Sequence, residues 1–242
     1  MPVYRLPEAI RFPPVKRAEK SGLLAFGGDL SPERLLAAYR KGIFPWYGPG
    51  EPILWWSPDP RFVLFPDELR ISRSLKQFLK KGRFRVTFDR AFGEVIAACR
   101  NPRPGQDGTW ITREMEEVYV TLHERGYAHS VEAWDGETLA GGLYGVSLGR
   151  TFFGESMFSA MPNGSRAALA ALVARLRKLD FDMIDCQVES AHLSALGARP
   201  IPRGGFLTIL GNSLRHETLR GDWGAPLPKT PEKASGKRYF FV

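Results

Sequence analysis

Residues 43–66, IFPWYGPGEPILWWSPDPRFVLFP, cannot form a continuous helix. They hold Pro45, Pro49, Pro52, Pro58, Pro60 and Pro66. Each proline removes a backbone donor and disfavours the helical conformation of the residue before it. Trp46, Trp55 and Trp56 lie in the same stretch, and Trp55 and Trp56 read as packing at a domain junction. A domain junction is placed near Pro60 to Phe62. This gives a small N-terminal domain over 1–61 and a larger one over 62–242.

Ahead of the stretch, one helix is marked by Ser31 as cap, Pro32 at its first position, an apolar face of Leu35, Leu36 and Tyr39, and Gly42 as terminator. Beyond it, Ser72 to Lys81 reads as a helix with Leu75, Phe78 and Leu79 inward and Gly82 ending it. Phe84, Val86 and Phe88 alternate as a strand. Asp89 is expected to cap a helix carrying Phe92, Val95, Ile96 and Cys99. Thr112 is expected to cap another with Met115, Val118, Tyr119 and Leu122. Strands follow at 129–134, 138–147 and 150–158, the first two joined by a hairpin turn at Asp135-Gly136. A helix from Asn163 or Ser165 to about Leu179, a strand from Met183 to Val188, a short helix near His192 to Leu196 and a helix over 206–214 complete the pattern. The expected fold class is α+β. The order β-α-α-β-β-β-α-β-α in the larger domain resembles the acetyltransferase-like (GNAT) fold, and fold alone does not give function.

Apolar residues make up 43% and charged residues 25% of the chain, which excludes a disordered chain, a fibre or a coiled coil. The N-terminus lacks an apolar signal core, and the longest apolar run, Ala167 to Ala174, is too short to span a bilayer. No membrane association and a cytoplasmic location are therefore expected. Cys99 and Cys186 sit in apolar surroundings and read as reduced thiols. No Cys or His stands at metal-ligand spacing. Lys+Arg 34 against Asp+Glu 26 gives +8, which suggests a polyanionic partner. The charge is uneven. Residues 70–90 hold eight bases and one acid, 199–242 hold eight and three, and 132–198 reverse the sign with eight acids and five bases. Two basic ends around an acidic middle suit a protein that grips a polyanion and offers an acidic pocket to a cation.

Four strings stand out: LLAFGGDLSPERLLAAYRKGIFPWY (23–47), ILWWSPDPR (53–61), GGLYGVSLGRTFFGESMFS (141–159) and IDCQVESAHLSALGARPIPR (184–203). Together they closely resemble the bacterial leucyl/phenylalanyl-tRNA–protein transferase family, over about residues 21–215. The resemblance implies transfer of Leu, or less often Phe or Met, from aminoacyl-tRNA to proteins or peptides with N-terminal Arg or Lys, creating an N-degron. It implies no metal and no coenzyme A. A monomer is expected.

The residues are consistent with such chemistry. Aminolysis of an activated ester needs no ATP site, and no P-loop is present. The nucleophile is the acceptor's own α-amine, with a free pKa of about 7.7–8.0, so a modest proton acceptor beside it suffices. Asp185 and Gln187, two apart on a strand, face the same side. On the residues alone they read as ordinary hydrogen-bonding strand groups. The resemblance places them at the catalytic centre, with Asp185 polarising Gln187 and the Gln187 side-chain oxygen accepting a hydrogen bond from the attacking amine.

Glu155 reads as a solvent-facing strand carboxylate or, by the resemblance, as the group that recognises the acceptor's cation or amine, with Ser190 beside the acceptor. Ser190 stands where family members often carry Asn, which puts one substrate contact in doubt. Phe152, Met157, Leu169, Leu172, Leu176 and Ile184 are candidates for an apolar aminoacyl pocket, and each is also a natural core residue. Leu172 and Leu176 stand where others often have Phe, so the Leu/Phe/Met preference stays open. The resemblance assigns Trp46 and Trp110 to the aminoacyl-adenosine end, stacking on the base. Arg73, Lys76, Lys80 and Lys81 are the candidates for tRNA phosphates.

A coenzyme A-dependent acetyltransferase on the same fold is disfavoured, because SAMPNGSR (159–166) lacks the Arg/Gln-led glycine-rich loop that would cradle pyrophosphate. An RNA-binding module without catalysis explains the basic segment but not the acidic middle. Another aminoacyl-tRNA-dependent ligase, such as those building cell-wall bridges, needs a different acceptor site.

Overall fold

The computed structural model describes residues 3–101 and 111–225. The first part forms β1 (Tyr4–Arg5), β2 (Leu23–Phe26), α1 (Pro32–Tyr39), β3 (Phe44–Pro45) and β4 (Leu54–Trp56). Its strands make a small sheet in the order β1-β2-β4-β3. These strands were not anticipated, because two to four residues are too few to show alternation. Ser31 caps α1 as expected, its Oγ accepting from the Arg34 N–H at 3.3 Å.

The second part runs β5 (Arg61–Leu64), α2 (Arg73–Lys80), β6 (Arg85–Phe88), α3 (Phe92–Arg100), α4 (Arg113–Glu124), β7 (Ala128–Asp135), β8 (Thr138–Leu148), β9 (Thr151–Ser159), α5 (Gly164–Lys178), β10 (Met183–Gln187), α6 (Ala191–Ala195), β11 (Arg199–Ile201) and α7 (Arg203–Ser213). The molecule is therefore mixed α+β, with a small N-terminal domain and a larger C-terminal one. The larger sheet has the order β11-β5-β10-β9-β8-β7-β6. It begins at Arg61, one residue before the division read from sequence. All its pairings are antiparallel except β9 with β10.

Side-chain alternation assigns the two faces. Tyr144, Val146 and Phe153 point to the face covered by α3, α4 and the N-terminal domain, in one core with Tyr39, Phe44, Val95, Tyr119 and Phe206. Leu143, Phe152 and Ile184 point to the other face, in a core with Leu169, Leu172, Val173 and Leu176 of α5. Ser72 and Thr112 cap α2 and α4 through their hydroxyls. Asp89 does not cap α3, whose first turn has no side-chain cap. Its carboxylate instead accepts from the Ser130 and Trp223 N–H groups and lies 2.8 Å from His129 Nδ1, tying β7 to the chain after α7. Among the described residues, no helix is long and apolar enough to cross a membrane.

The pairing of β9 and β10 ends at Phe153 and Asp185, and both strands bulge just beyond. On β9, Tyr144 faces Ser156 and Gly145 faces Gly154, so Glu155 is the extra residue. On β10, Val63 faces Asp185 and Phe62 faces Gln187, so Cys186 is the extra residue. A bulge bends its strand and re-aims the side chains beyond it. Two bulges at one level split the sheet.

α5 comes close enough to form one wall of that split because β8 and α5 meet at glycines. A Cβ on Gly141 would lie 2.6 Å from the Gly164 carbonyl carbon, and one on Gly164 would overlap the Ala140 carbonyl oxygen. Gly164→Ala is accordingly expected to cost about 1–3 kcal/mol, as overpacking against backbone does. Gly211→Ala, in α7 with no heavy atom within 4 Å of the added carbon, is expected to raise stability by up to about 1 kcal/mol. Urea unfolding of the two variants checks both signs.

Candidate functional site

A cavity of about 800 Å³ occupies the split in the sheet. On the α5 side it is walled by Leu64, Leu143, Phe152, Met157, Leu169, Leu172 and Ile184. On the other side it is walled by Phe44, Pro45, Trp46, Ala98, Asn101, Tyr144 and Phe158. Glu155, Cys186, Gln187 and Ser190 meet it where the strands part.

Most of the aminoacyl candidates therefore line the cavity: Trp46, Phe152, Met157, Leu169, Leu172 and Ile184. Leu176 does not, because it lies a turn further along α5 and is sealed in the core. Trp110 lies outside the described residues. Trp46 stands at the rim, 41% exposed. Trp56 Nε1 donates to the Trp46 carbonyl at 2.6 Å, so Trp56 holds the rim residue in place. Ser190 caps α6, its Oγ accepting from the Leu193 N–H at 3.2 Å. Arg73, Lys76, Lys80 and Lys81 are exposed on and beside α2, away from the cavity wall.

Asp185 is brought next to Gln187, but not in the way i, i+2 spacing implied. It is fully buried and does not line the cavity. Its carboxylate is held bidentate by Arg61, at 2.8 Å from Nε and 2.7 Å from the terminal Nη2. The guanidinium lies between the rings of Phe44 and Phe206, 4.7 Å from each centroid. Asp185 Oδ1 also accepts the backbone N–H of Gln187 at 2.9 Å. It thus grips the Gln187 main chain rather than polarising its side chain. The bulge at Cys186 intervenes, and Gln187 takes φ +65°, a conformation that is costly for a residue with a Cβ.

Turned by this backbone, Gln187 donates from Nε2 to Glu155 Oε1 at 2.9 Å. Its Oε1 has no hydrogen bond among the described residues, which leaves a carbonyl oxygen for the cavity. Glu155 is also within hydrogen-bond distance of both tyrosine hydroxyls, Tyr39 at 2.7 Å from Oε1 and Tyr119 at 2.8 Å from Oε2. The two tyrosine oxygens are 2.6 Å apart. Burial, with the charge of Asp185 adding to it, raises the Glu155 carboxyl to about 7 against the lowering effect of these hydrogen bonds. Burial, then the nearby Glu155, holds both tyrosines well above their ordinary range. Burial likewise pushes the Cys186 thiol up. Glu155 is thus neither solvent-facing nor a free anion.

Sequence reasoning missed Arg61, Tyr39, Tyr119 and Tyr144. The one available signal was that a tyrosine on a buried helix face needs a hydroxyl partner. The partner itself could not be named from spacing.

A family model described as leucyl/phenylalanyl-tRNA protein transferase matches residues 63–211. A second, for the N-terminal domain of the same transferase, matches residues 28–59. Curated relatives carry the name leucyl/phenylalanyl-tRNA–protein transferase. That of Syntrophus aciditrophicus (strain SB) is 59% identical over 99% of this chain and 100% of its own. That of Anaeromyxobacter sp. (strain Fw109-5) is 58% identical over 92% and 95%. That of Myxococcus xanthus (strain DK1622) is 56% identical over 92% and 97%.

The Arg61–Asp185 pair yields a test of position against stability. Removing one partner strands a buried charge, so Arg61→Met is expected to destabilise by about 3–5 kcal/mol. Arg61→Met combined with Asp185→Leu removes both charges and is expected to regain most of that loss. Guanidinium unfolding of the single and double variants measures the difference.

Proposed function

The chain belongs to the leucyl/phenylalanyl-tRNA–protein transferase family, and from that membership we propose how its cavity performs aminoacyl transfer. It is an aminoacyltransferase that moves Leu or Phe from aminoacyl-tRNA to a protein N-terminus. The acceptor's α-amine nitrogen attacks the ester carbonyl carbon, an N–C bond forms, and the bond from that carbon to the 3′-oxygen breaks. The amine gives up one proton, and the departing 3′-oxygen takes one up, directly or through water.

The observation that carries the residue assignment is the open Gln187 Oε1 at the mouth of an apolar cavity. A side-chain carbonyl there accepts a hydrogen bond from the amine and aims its lone pair at the ester. An amide oxygen is no base at neutral pH, so Gln187 orients the amine and does not keep the proton. Asp185 acts through Gln187 as a positioning residue, because the substrate cannot reach it.

We assign the aminoacyl side chain to the α5 wall of Phe152, Met157, Leu169, Leu172 and Ile184, which is compatible with Leu, Phe or Met. The adenosine end is assigned to Trp46 at the rim, together with Trp110. The acceptor approaches past Ser190 and Glu155. Since the oxygens of Glu155 already serve Tyr39, Tyr119 and Gln187, direct pairing with an N-terminal Arg or Lys side chain falls to the exposed Glu189. The basic helix α2, with Arg73, Lys76, Lys80 and Lys81, takes phosphates of the tRNA. The larger domain is assigned the GNAT fold on its run from β6 to α6, β-α-α-β-β-β-α-β-α. Its junction with the N-terminal domain is placed near Pro60 to Phe62. The described residues of the cavity all come from one chain, which supports action as a monomer. A tRNA donor supports a cytoplasmic location, and an N-terminal Leu or Phe supports the reading of the product as an N-degron.

Charged leucyl-tRNA is expected to transfer label to peptides beginning with Arg or Lys and not to one beginning with Ala. Transfer to no peptide would reject the activity. Gln187→Ala is expected to lower single-turnover transfer at least about tenfold, with leucyl-adenosine binding little changed.

Reversing two charges among Arg73, Lys76, Lys80 and Lys81 is expected to weaken binding of different tRNAs alike. It is also expected to flatten the dependence of log affinity on log salt by roughly 0.7–0.9 per lost phosphate contact. Filter binding at several salt concentrations reads both. An unchanged slope moves the tRNA footprint off α2.

A further inference from the structure

We propose that Glu155 carries a proton in the resting protein, closing a ring of hydrogen bonds with Tyr39 and Tyr119, and so keeps negative charge away from the acceptor's amine. Its functional consequence rests on the reading of Gln187 as the group that meets that amine. The protonation itself stands without it.

The number of protons in the ring requires it. Three short oxygen–oxygen contacts form the ring: Tyr39 to Tyr119 at 2.6 Å, Tyr39 to Oε1 at 2.7 Å and Tyr119 to Oε2 at 2.8 Å. Each needs one proton between its oxygens. Two phenols supply two. With an ionised Glu155 both phenols turn to the carboxylate, and their own 2.6 Å contact sets lone pair against lone pair. The third proton belongs to the carboxyl.

Gln187 decides where it sits. Nε2 donates to Oε1, which makes Oε1 the carbonyl oxygen and Oε2 the hydroxyl. The ring then runs in one direction. Oε2–H donates to Tyr119, Tyr119 to Tyr39, and Tyr39 to Oε1.

The surrounding charges agree. Glu155 faces Tyr39 from α1, Tyr119 from α4, Tyr144 from β8, and Asp185 and Gln187 from β10. The nearby cation, Arg61 of β5, is committed to Asp185, and Glu155 has no ion pair among the described residues. The Tyr144 hydroxyl is buried without a hydrogen-bond partner among the described residues, so it offers no compensation. An ionised Glu155 is a second buried anion beside Asp185 with nothing to neutralise it.

The consequence concerns the nucleophile. An anion within one residue's reach of the amine stabilises its ammonium form and raises its pKa. Only the free base attacks. A protonated Glu155 still anchors Gln187 while leaving the amine free to lose its proton.

Glu155→Gln replaces the acid with a neutral group of the same shape. Its amide N–H takes over the bond to Tyr119, and its carbonyl oxygen accepts from Tyr39 and Gln187. Three measurements decide the matter. Infrared difference spectra of wild type against Glu155→Gln at pH 6 should show a protonated carboxyl band that fades as pH rises. Urea unfolding should show wild type losing stability relative to Glu155→Gln between about pH 4.5 and about 7. A folded-state pKa raised above the unfolded one gives stability present at low pH and lost as pH rises through it. The unfolding constant should shift by at least about tenfold. Leucyl transfer to an Arg-starting peptide should fall by only about fivefold in Glu155→Gln, the scale of one altered neutral hydrogen bond. The rate should also keep rising with pH where wild type levels off.

Absence of the carboxyl band, or identical pH dependence of stability in the two proteins, overturns the proposal even if the protein transfers nothing. A hundredfold loss of transfer with selectivity for Arg and Lys abolished overturns it in favour of an anionic Glu155 that binds the acceptor's charge.

Discussion

The buried pair of Arg61 and Asp185 is the constraint on which the rest of the site depends. It joins the first residue of β5 to the middle of β10, with the rings of Phe44 and Phe206 enclosing the guanidinium. The N-terminal domain, the large sheet and α7 therefore meet at one charge. Such a pair is weak evidence for stability, because desolvating two ions consumes most of their attraction. It is better understood as a device for position. Arg61 donates to both carboxylate oxygens of Asp185 and so fixes Oδ1 where it also accepts the Gln187 N–H. That backbone bond accompanies the left-handed turn at Gln187, which the chain does not favour by itself.

From that anchor the cavity follows by sheet geometry. Strands that stay paired leave no room between them. β9 and β10 separate at Phe153 and Asp185, and the extra residue on each side is a functional candidate or its neighbour, Glu155 and Cys186. The hydrogen bond between Gln187 and Glu155 spans the gap with side chains where backbone pairing has ended. The opening connects an apolar wall on the α5 face to a wall bearing Trp46 and Tyr144 on the other. One cavity thus reaches both faces of the sheet at its tear. The glycine contact of β8 with α5 then sets how deep the apolar wall stands.

Much of this was legible in the sequence where the information is local. The caps at Ser31 and Thr112, the hairpin at Asp135-Gly136 and the positions of strands β7 to β9 depend on neighbours within a few residues. They read correctly. Asp89 failed because an acid ahead of a helix looks like a cap, whereas its partners lie about 40 and more than 130 residues away. Asp185 and Gln187 were singled out, but their relation was misread, since same-face spacing holds only for an unbulged strand. Nothing in IDCQVE announces a bulge. Leu176 illustrates a different limit. Helical periodicity puts it on the same stripe as Leu169 and Leu172, but says nothing of how far along the stripe the cavity extends. Arg61, 124 residues from its partner, and the two tyrosines from separate helices were beyond any spacing rule.

The placement of charge has its own logic. The donor of this reaction is a polyanion, and the acceptor is a cation at its amine. A centre with net negative charge repels the first and holds the second in its unreactive protonated form. A centre with net positive charge repels the acceptor. Here the deep charges cancel within the Arg61–Asp185 pair. The next acid, Glu155, is enclosed by phenols and an amide rather than by a cation. The strong fields lie outside, with bases exposed along α2 and Glu189 exposed beside the cavity mouth. Charges in water act over about a Debye length and are weakened by salt, which suits capture and orientation of large partners. Uncharged hydrogen bonds among buried groups suit the reacting atoms, because their geometry is fixed and they are little screened. The split sheet separates these two tasks in space, so neither has to be compromised for the other.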